Sequence, residues 1–197
     1  MLEGTIEGAQ AEELASVYEK LDQAISGFLS EYDIRCRRGC GACCEHFVPD
    51  ITEAEANYLA LHIIENKREE EVQRRFLDFQ EGSEGPCPLY NKDDEHHCSV
   101  YDARPLICRL FGSSCFVNKE DRPMFRHCRW NDSDRDLSPS DITTDVPVMG
   151  KYGLAVESVI SNSSATVLLP EAVTRAIFKL SMIIRYNGGD DDNTIGA

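Results

Sequence analysis

The stretch Cys36-Arg-Arg-Gly-Cys40-Gly-Ala-Cys43-Cys44 holds four of the chain's nine cysteines within nine residues. Thiols at this density indicate a disulfide framework or a metal site, because the burial of free thiols requires no clustering. No cysteine lies beyond Cys128, so the nine form one central block with a cysteine-free segment on each side. The other five cysteines are Cys87, Cys98, Cys108, Cys115 and Cys128.

The redox compartment decides between these two kinds of site. The first residues, Met-Leu-Glu-Gly, lack the apolar core of a secretory signal, and no run of about 18 apolar residues could cross a membrane. We therefore expect a cytoplasmic protein, whose compartment keeps thiols reduced. An odd number of cysteines also argues against a disulfide framework, so metal ligation is the favoured interpretation.

Length and charge limit the class of partner. At 197 residues the chain is long enough for one domain with an ordinary core. Its formal net charge of −15 argues against nucleic acid and anionic membranes as partners, since both attract a basic surface. A protein partner is compatible with this charge, and the oligomeric state is left open.

The first half of the chain combines helical patterns with an irregular segment. Apolar residues at alternating spacings of four and three predict an amphipathic helix over residues 10–33. Thr52 and Glu55 form a capping-box signature that starts a second helix over residues 53–80. Residues 81–135 show no periodic apolar pattern, and so long an irregular segment needs another source of order, which bound metal would supply.

Two further helices are predicted after the cysteine block. Pro147 and Pro170 suit the first turn of a helix, and the two helices end near residues 161 and 186. The predicted fold is therefore mainly α, a small helical domain with an irregular, cysteine-rich, metal-organised centre. Its parts are an N-terminal helix (10–33), a cysteine-cluster metal-binding core (34–135), a C-terminal helical extension (136–187) and a disordered tail (188–197).

The order of the first four cysteines indicates how they could share metal. Cys40 and Cys43 form a Cys-x-x-Cys step whose sulfurs can converge on one centre, and Cys36 can join them across a turn. Cys43 and Cys44 are neighbours whose side chains usually point apart, which favours two centres that divide this pair. Eight thiolates would complete two four-sulfur sites and leave one cysteine over.

The spacing of the later cysteines bears on the identity of the metal. Soft thiolates select zinc, copper(I) or iron–sulfur clusters. Structural zinc sites usually show two short Cys-x-x-Cys steps, and only the first cluster has one here. Gaps of ten, nine, six and twelve residues separate the last five cysteines. Such scattered ligands favour an iron–sulfur cluster of the [4Fe–4S] type, with zinc as the alternative.

Arginines are concentrated beside the cysteines. Seven of the chain's 14 arginines flank them, and guanidinium groups can offset the negative charge that four thiolates leave around a metal. Cys115, which follows Gly-Ser-Ser, is the best candidate for the leftover cysteine. The flanking arginines are Arg35, Arg37, Arg38, Arg104, Arg109, Arg126 and Arg129. The histidines of the block, predicted to lie on loops or beside the ligands, are His46, His96, His97 and His127.

The cysteine motifs recur in an order that resembles a known family. The first cluster is followed by Cys87-Pro-Leu and then by Cys98-Ser-Val-Tyr-Asp-Ala-Arg-Pro-Leu-Ile-Cys108-Arg-Leu-Phe. This succession, over residues 33–130, resembles the YkgJ-type CxxCxxCC cysteine-cluster family, whose members are described as carrying a zinc- or iron-chelating domain.

The resemblance implies a set of metal ligands. Cys128, within Arg-His-Cys-Arg, looks like the further cysteine that often follows in this family, whereas Cys115 has no clear counterpart. No catalytic or other cofactor-binding residue is predicted. The predicted ligands are Cys36, Cys40, Cys43, Cys44, Cys87, Cys98, Cys108 and Cys128.

Two classes of function follow from these observations. A cysteine-ligated metalloprotein with a structural, redox or electron-transfer role is expected first, because sites with four protein ligands leave no open position for substrate. The alternative is a metal-cluster-dependent enzyme that modifies proteins, since some relatives of this family resemble a flagellin lysine methylase that uses S-adenosylmethionine. The first three cysteines also have radical S-adenosylmethionine spacing, but no alternating strands and helices follow them.

Overall fold

The structure is a computed structural model in which helices take up 54% of the described residues, which confirms the mainly α prediction. It describes all residues except 37–39, 80–81, 83–84, 131–135, 143–145, 161–164 and 188–197. The helices are α1 (Ile6–Glu31), α2 (Ala42–Glu45), α3 (Glu53–Glu65), α4 (Glu69–Leu77), α5 (Leu106–Leu110), α6 (Met149–Val159) and α7 (Leu169–Asn187). The strands are β1 (Asp50–Thr52), β2 (Phe116–Val117), β3 (Pro123–Met124) and β4 (Thr166–Leu168).

Helix α1 begins four residues earlier than the apolar pattern predicts, because Thr5 caps it. The Gly8 N–H donates a hydrogen bond to Thr5 Oγ1 at 3.0 Å, which satisfies one of the unpaired donors of the first turn. The apolar stripe faces the interior as predicted. Its buried members are Leu14, Tyr18, Leu21, Ile25 and Phe28.

The prediction of one helix over 53–80 is wrong, because two helices occupy this segment. The capping box at its start is present as predicted, but α3 ends after Glu65. Lys67 adopts a left-handed conformation (φ 55°), and its N–H donates to the Ile64 carbonyl while the Arg68 N–H donates to the Ile63 carbonyl, both at 3.0 Å. This pair of bonds is a Schellman motif, which terminates a helix.

A two-stranded sheet sets the two main core helices side by side. Strand β1 leads into α3 and β4 leads into α7, and the two strands pair antiparallel with Ile51 opposite Val167. The Leu169 N–H extends this pairing by donating to the Pro49 carbonyl at 2.9 Å. The two helices therefore share one hydrophobic core. Its buried members include Leu59, Ile63, Val72, Val173, Ile177 and Leu180.

The central block is irregular, as predicted, but apolar side chains also anchor it. Besides α5 and the β2–β3 pair it contains only a short 3₁₀ turn, Tyr101–Ala103, in the residues described. Leu89, Val100 and Ala103 are buried in the same core as α3 and α7. Metal is therefore not the sole source of order in this segment.

The C-terminal helices lie close to their predicted positions. Helix α6 starts two residues after Pro147, and α7 starts one residue before Pro170. The tail predicted to be disordered, 188–197, falls outside the described residues. In the described ranges, no helix combines the length and the apolar character needed to cross a membrane.

One buried carboxylate joins the N-terminal helix to the cysteine block. Glu55 is only 6% exposed, and its oxygens accept hydrogen bonds from the Tyr18 hydroxyl at 3.1 Å, the Leu106 N–H at 2.8 Å and the Thr52 N–H at 2.8 Å. These donors belong to α1, to the start of α5 and to the cap of α3. Glu55 therefore fixes the position of α5 relative to the helical frame.

Replacement of Glu55 by alanine is expected to lower the free energy of unfolding by about 3 kcal/mol, since four hydrogen-bond donors lose their acceptor. Chemical denaturation measures this loss. Glu65→Ala, at the exposed end of the same helix, is the matched control and should change stability by no more than about 0.5 kcal/mol. Equal losses in the two variants would contradict the role assigned to Glu55.

Candidate metal centre

Most of the predicted ligands meet at one place in the structure. Seven cysteines line a single cavity of about 220 Å³, although they come from separate parts of the chain. Helix α2 supplies two of them, α5 supplies one, and loops supply the rest. The seven are Cys36, Cys40, Cys43, Cys44, Cys87, Cys98 and Cys108.

A glycine allows the first cysteine cluster to pack against the next cysteine-bearing loop. A Cβ atom on Gly41 would lie 2.5 Å from His97 Cβ and 2.7 Å from Tyr90 Cε2, which is closer than side chains can approach. Directly after it, the Cys44 carbonyl accepts a hydrogen bond from the Cys87 N–H at 2.7 Å. Only glycine at position 41 permits this contact without a shift of the loop.

The loop of residues 87–99 folds back on itself and brings two cysteines to the cavity. Tyr90 and Cys98 form an antiparallel bridge, and the Ser99 N–H donates to the Leu89 carbonyl at 3.0 Å. Backbone pairing of this kind satisfies polar groups that the loop buries. The two ends of the loop are thereby held together beside α2.

Four thiols, which we call the inner group, are Cys44, Cys87, Cys98 and Cys108. The Cys44 and Cys43 sulfurs are 4.0 Å apart, and the hydrogen bond from Cys44 lowers the pKa of Cys43 to about 6. Burial raises the pKa of Cys87 to about 11. Burial also raises the pKa of Cys108, and neighbouring thiolates at Cys87 and Cys98 add to this effect. A thiolate at Cys98 also raises the pKa of each of the other three thiols. A thiolate at Cys43 acts on the same three in the same direction.

The remaining predicted ligands form an outer group, which consists of Cys36, Cys40, Cys43 and Cys128. Partial desolvation raises the pKa of the Cys36 thiol to about 11, and thiolates at Cys40, Cys43 and Cys128 raise it too. Cys128 does not line the cysteine cavity; it lines a neighbouring cavity together with Cys43. Cys43 thus stands at the boundary between the two groups.

Arg104 supplies positive charge at the cavity, as its position in the sequence predicts. It lines the cavity, and its guanidinium carbon lies 3.7 Å from the centre of the Tyr101 ring. The hydrogen bond from Cys44 is the largest cause of the lowered pKa values of Cys43 and Cys98, and the charge of Arg104 lowers both as well. Arg104 therefore favours thiolates, the form that binds metal.

Arg109, which also lines the cysteine cavity, and Arg35 form ion pairs with carboxylates. The buried Arg109 guanidinium pairs with Asp22 at 2.5 Å and lies 4.1 Å from the centre of the Tyr18 ring. Arg35 pairs with Asp33 at 2.7 Å on the surface. Their charges are thus engaged with carboxylates of the N-terminal part of the chain. Arg37 and Arg38 lie outside the described residues.

The histidines take different positions around the site. His96 lines the cysteine cavity, and its ring stacks on Tyr101 with 3.9 Å between ring centres. Arg104 and His96 both lie within 4 Å of the Tyr101 ring centre, so they must occupy opposite faces of it. His127 instead pairs with Asp136 at 2.7 Å. The spacing of residues in the sequence did not predict that His96 stacks on Tyr101.

Cys115 lies apart from the other cysteines. It is 1% exposed within a separate hydrophobic cluster, and burial raises the pKa of its thiol to about 11. Its backbone pairs with the segment that precedes α6, since its N–H donates to the Pro147 carbonyl at 2.8 Å. Its neighbours in this cluster are Phe28, Ile34, Phe125, Leu137 and Val146.

The donor set determines which metals the site could hold. No three Cys, His, Asp or Glu side chains in the described part of the chain are already arranged as a ready site for one metal ion. The donors that share the cavity are nevertheless almost all thiols, with an arginine beside them. Such a set suits a soft metal or an iron–sulfur cluster rather than magnesium or calcium.

A cavity lined by thiols from three segments of a helical protein defines a cysteine-rich metal-binding protein. Residues 35–130, just under half of the chain, match the model of the CxxCxxCC family, described as "Putative zinc- or iron-chelating domain". The resemblance seen in the sequence is confirmed. Neither a curated protein nor a solved structure matches the chain.

Proposed function

We propose that this protein is an iron–sulfur protein that transfers electrons, with two centres held by eight cysteines. The observation that carries the proposal is the single cavity of about 220 Å³ lined by seven thiols. A zinc ion sits about 2.3 Å from its sulfur ligands and needs no void between them. A cluster of several iron and sulfide atoms does need one, so the cavity favours iron–sulfur over zinc.

The two cysteine groups support a division into two centres. The inner group supplies four thiols, and the outer group supplies four more. Cys43 and Cys44 are adjacent on α2, and their sulfurs, 4.0 Å apart, would each bind a different centre. The iron–sulfur clusters, when bound, would supply one-electron redox chemistry.

The position of the groups favours electron transfer over catalysis at the metal. Cys36 in the outer group is exposed, whereas Cys87 in the inner group is buried. A partner could therefore exchange electrons with the outer centre at the surface. Four thiols for each centre leave no open position for a substrate. We propose a protein partner and a cytoplasmic location, where the thiols would stay reduced.

Anaerobically purified protein is expected to be coloured, with a broad absorption band near about 400 nm and about eight irons per chain, as two [4Fe–4S] clusters require. Metal analysis and acid-labile sulfide on the same sample measure the composition. Addition of dithionite should bleach the band, because the clusters accept electrons. A colourless protein with about two zinc ions per chain would contradict iron–sulfur binding while keeping two four-thiolate sites.

A further inference from the structure

A second cavity, of about 610 Å³, opens beside the cysteine cavity. Cys43, Phe111 and Gly112 line both cavities, so the two share a wall. Its volume lies within the range of about 300–1,000 Å³ that is typical of small-molecule sites. We call this cavity the aromatic groove, and it is defined by Phe47, Phe111, Arg126, Arg129, Trp130 and Met149.

Large apolar side chains are unusually exposed in the aromatic groove. Phe47, Phe111, Trp130 and Met149 are each between 39% and 48% exposed, and the ring centres of Phe47 and Phe111 are 6.2 Å apart. Single exposed apolar residues are common on protein surfaces, but a cluster of them marks a binding site. The groove therefore offers a flat apolar surface to the body of a ligand.

Two arginines and two cysteines of the outer group, Cys43 and Cys128, line the groove among the described residues. The chain carries a net charge of −15, yet no described carboxylate lines the groove, whereas Arg126 and Arg129 do. Hydrogen bonds from His127 hold the pKa of Asp136 below its usual value, and the charge of Arg126 contributes. Among the described residues, Asp136 pairs with His127 at 2.7 Å rather than with either guanidinium.

The geometry of Arg129 suits recognition of an anion next to an aromatic ring. Its guanidinium carbon lies 4.8 Å from the centre of the Trp130 ring, and Arg126 lies 5.9 Å from the Phe116 ring. A guanidinium held against a ring keeps its N–H donors available for a carboxylate, sulfonate or phosphate. Anionic and aromatic parts of one ligand could thus be bound by adjacent residues.

We propose that the aromatic groove binds a small anionic molecule with an aromatic body. Arg126 and Arg129 bind its acidic group, and Trp130, Phe47 and Phe111 contact the body. The bound molecule lies against the wall that holds Cys43. The positive charge disfavours a lysine side chain, which a lysine-modifying enzyme would have to bind. Because Cys43 and Cys128 line the groove, the bound molecule lies directly beside the outer group, whether that group holds iron or zinc.

The chain contains one tryptophan, so all of its tryptophan fluorescence comes from Trp130 in the groove. The probes are 4-phenylbutyrate and its neutral analogue 4-phenylbutan-1-ol, titrated into the protein as purified. We expect a saturable change in Trp130 fluorescence with the carboxylate, and about tenfold weaker binding of the alcohol, because a charge-assisted pair is lost. Calorimetry should give a stoichiometry of about one per chain.

Three variants test the assignment of the two arginines. Arg126→Gln combined with Arg129→Gln should weaken binding of the carboxylate to the level of the alcohol, and Arg129→Gln alone should give an intermediate loss. Arg122→Gln is the matched control, since Arg122 is also exposed but pairs with Glu120 outside the groove. Equal affinity for acid and alcohol, the same loss in Arg122→Gln, or no saturable binding would overturn the proposal.

Discussion

Cys98→Ser is expected to remove about half of the bound metal, and Cys36→Ser to remove the other half. Cys98 belongs to the inner group and Cys36 to the outer group, and the two groups would hold separate centres. A serine hydroxyl is a poor substitute for a thiolate ligand of a soft metal. Iron, zinc and sulfide contents per chain measure the loss in each variant.

Cys115→Ala is the control for these two variants, because Cys115 lies in a hydrophobic cluster outside both cavities. It should keep its full metal content and lose about 1 kcal/mol of stability from the small cavity that it creates. Complete loss of metal in both Cys98→Ser and Cys36→Ser would contradict two independent centres. Full metal content in Cys128→Ser together with loss of metal in Cys115→Ala would mean that Cys115 is the eighth ligand and Cys128 is not.

Removal of metal by chelation is expected to lower the melting temperature by about 10 °C, because ligation supplies several kcal/mol of folding free energy. The inner thiols come from α2, from the loop of residues 87–99 and from α5. A backbone hydrogen bond from Cys87 to Cys44 and a side-chain hydrogen bond from Tyr90 to Glu45 join the first two in the described structure. Differential scanning calorimetry compares the two forms.

Limited proteolysis locates the effect of chelation. The loop of residues 87–99 should be cut first in the stripped protein, while the core of α3 and α7 resists, because apolar packing rather than metal holds that core. Readdition of iron and sulfide should restore protection. Identical melting temperatures and cleavage patterns in the two forms would show that metal does not stabilise the central block.

The sequence predicted the features of the fold that depend on local patterns. The capping box of Thr52 and Glu55 and the apolar stripe of α1 both depend on residues within a few positions of one another. The end of α3 could not be found in this way, because its Schellman motif has Lys67 where glycine is usual. The pairing of β1 with β4 was likewise missed, since these short strands are distant in the chain.

The candidate site shows the same limit. Clustering and spacing identified the cysteines, and the isolation of Cys115 agrees with its place as the leftover thiol, although its role as a non-ligand stays a prediction. The spacing of the sequence could not predict the ion pair between Arg109 and Asp22, because only the packing of α1 brings the two residues together. The stack of His96 on Tyr101 also depends on tertiary structure.

The pairing of β1 with β4 has a consequence for the order of events during synthesis. The ribosome releases all nine cysteines before β4 and α7, yet α7 completes the core against which Cys87 and Leu89 pack. Until that helix emerges, the hydrophobic core beside the cysteine cavity is incomplete. Metal loading of the native site therefore has to follow the synthesis of α7, as a step separate from the synthesis of the cysteines themselves.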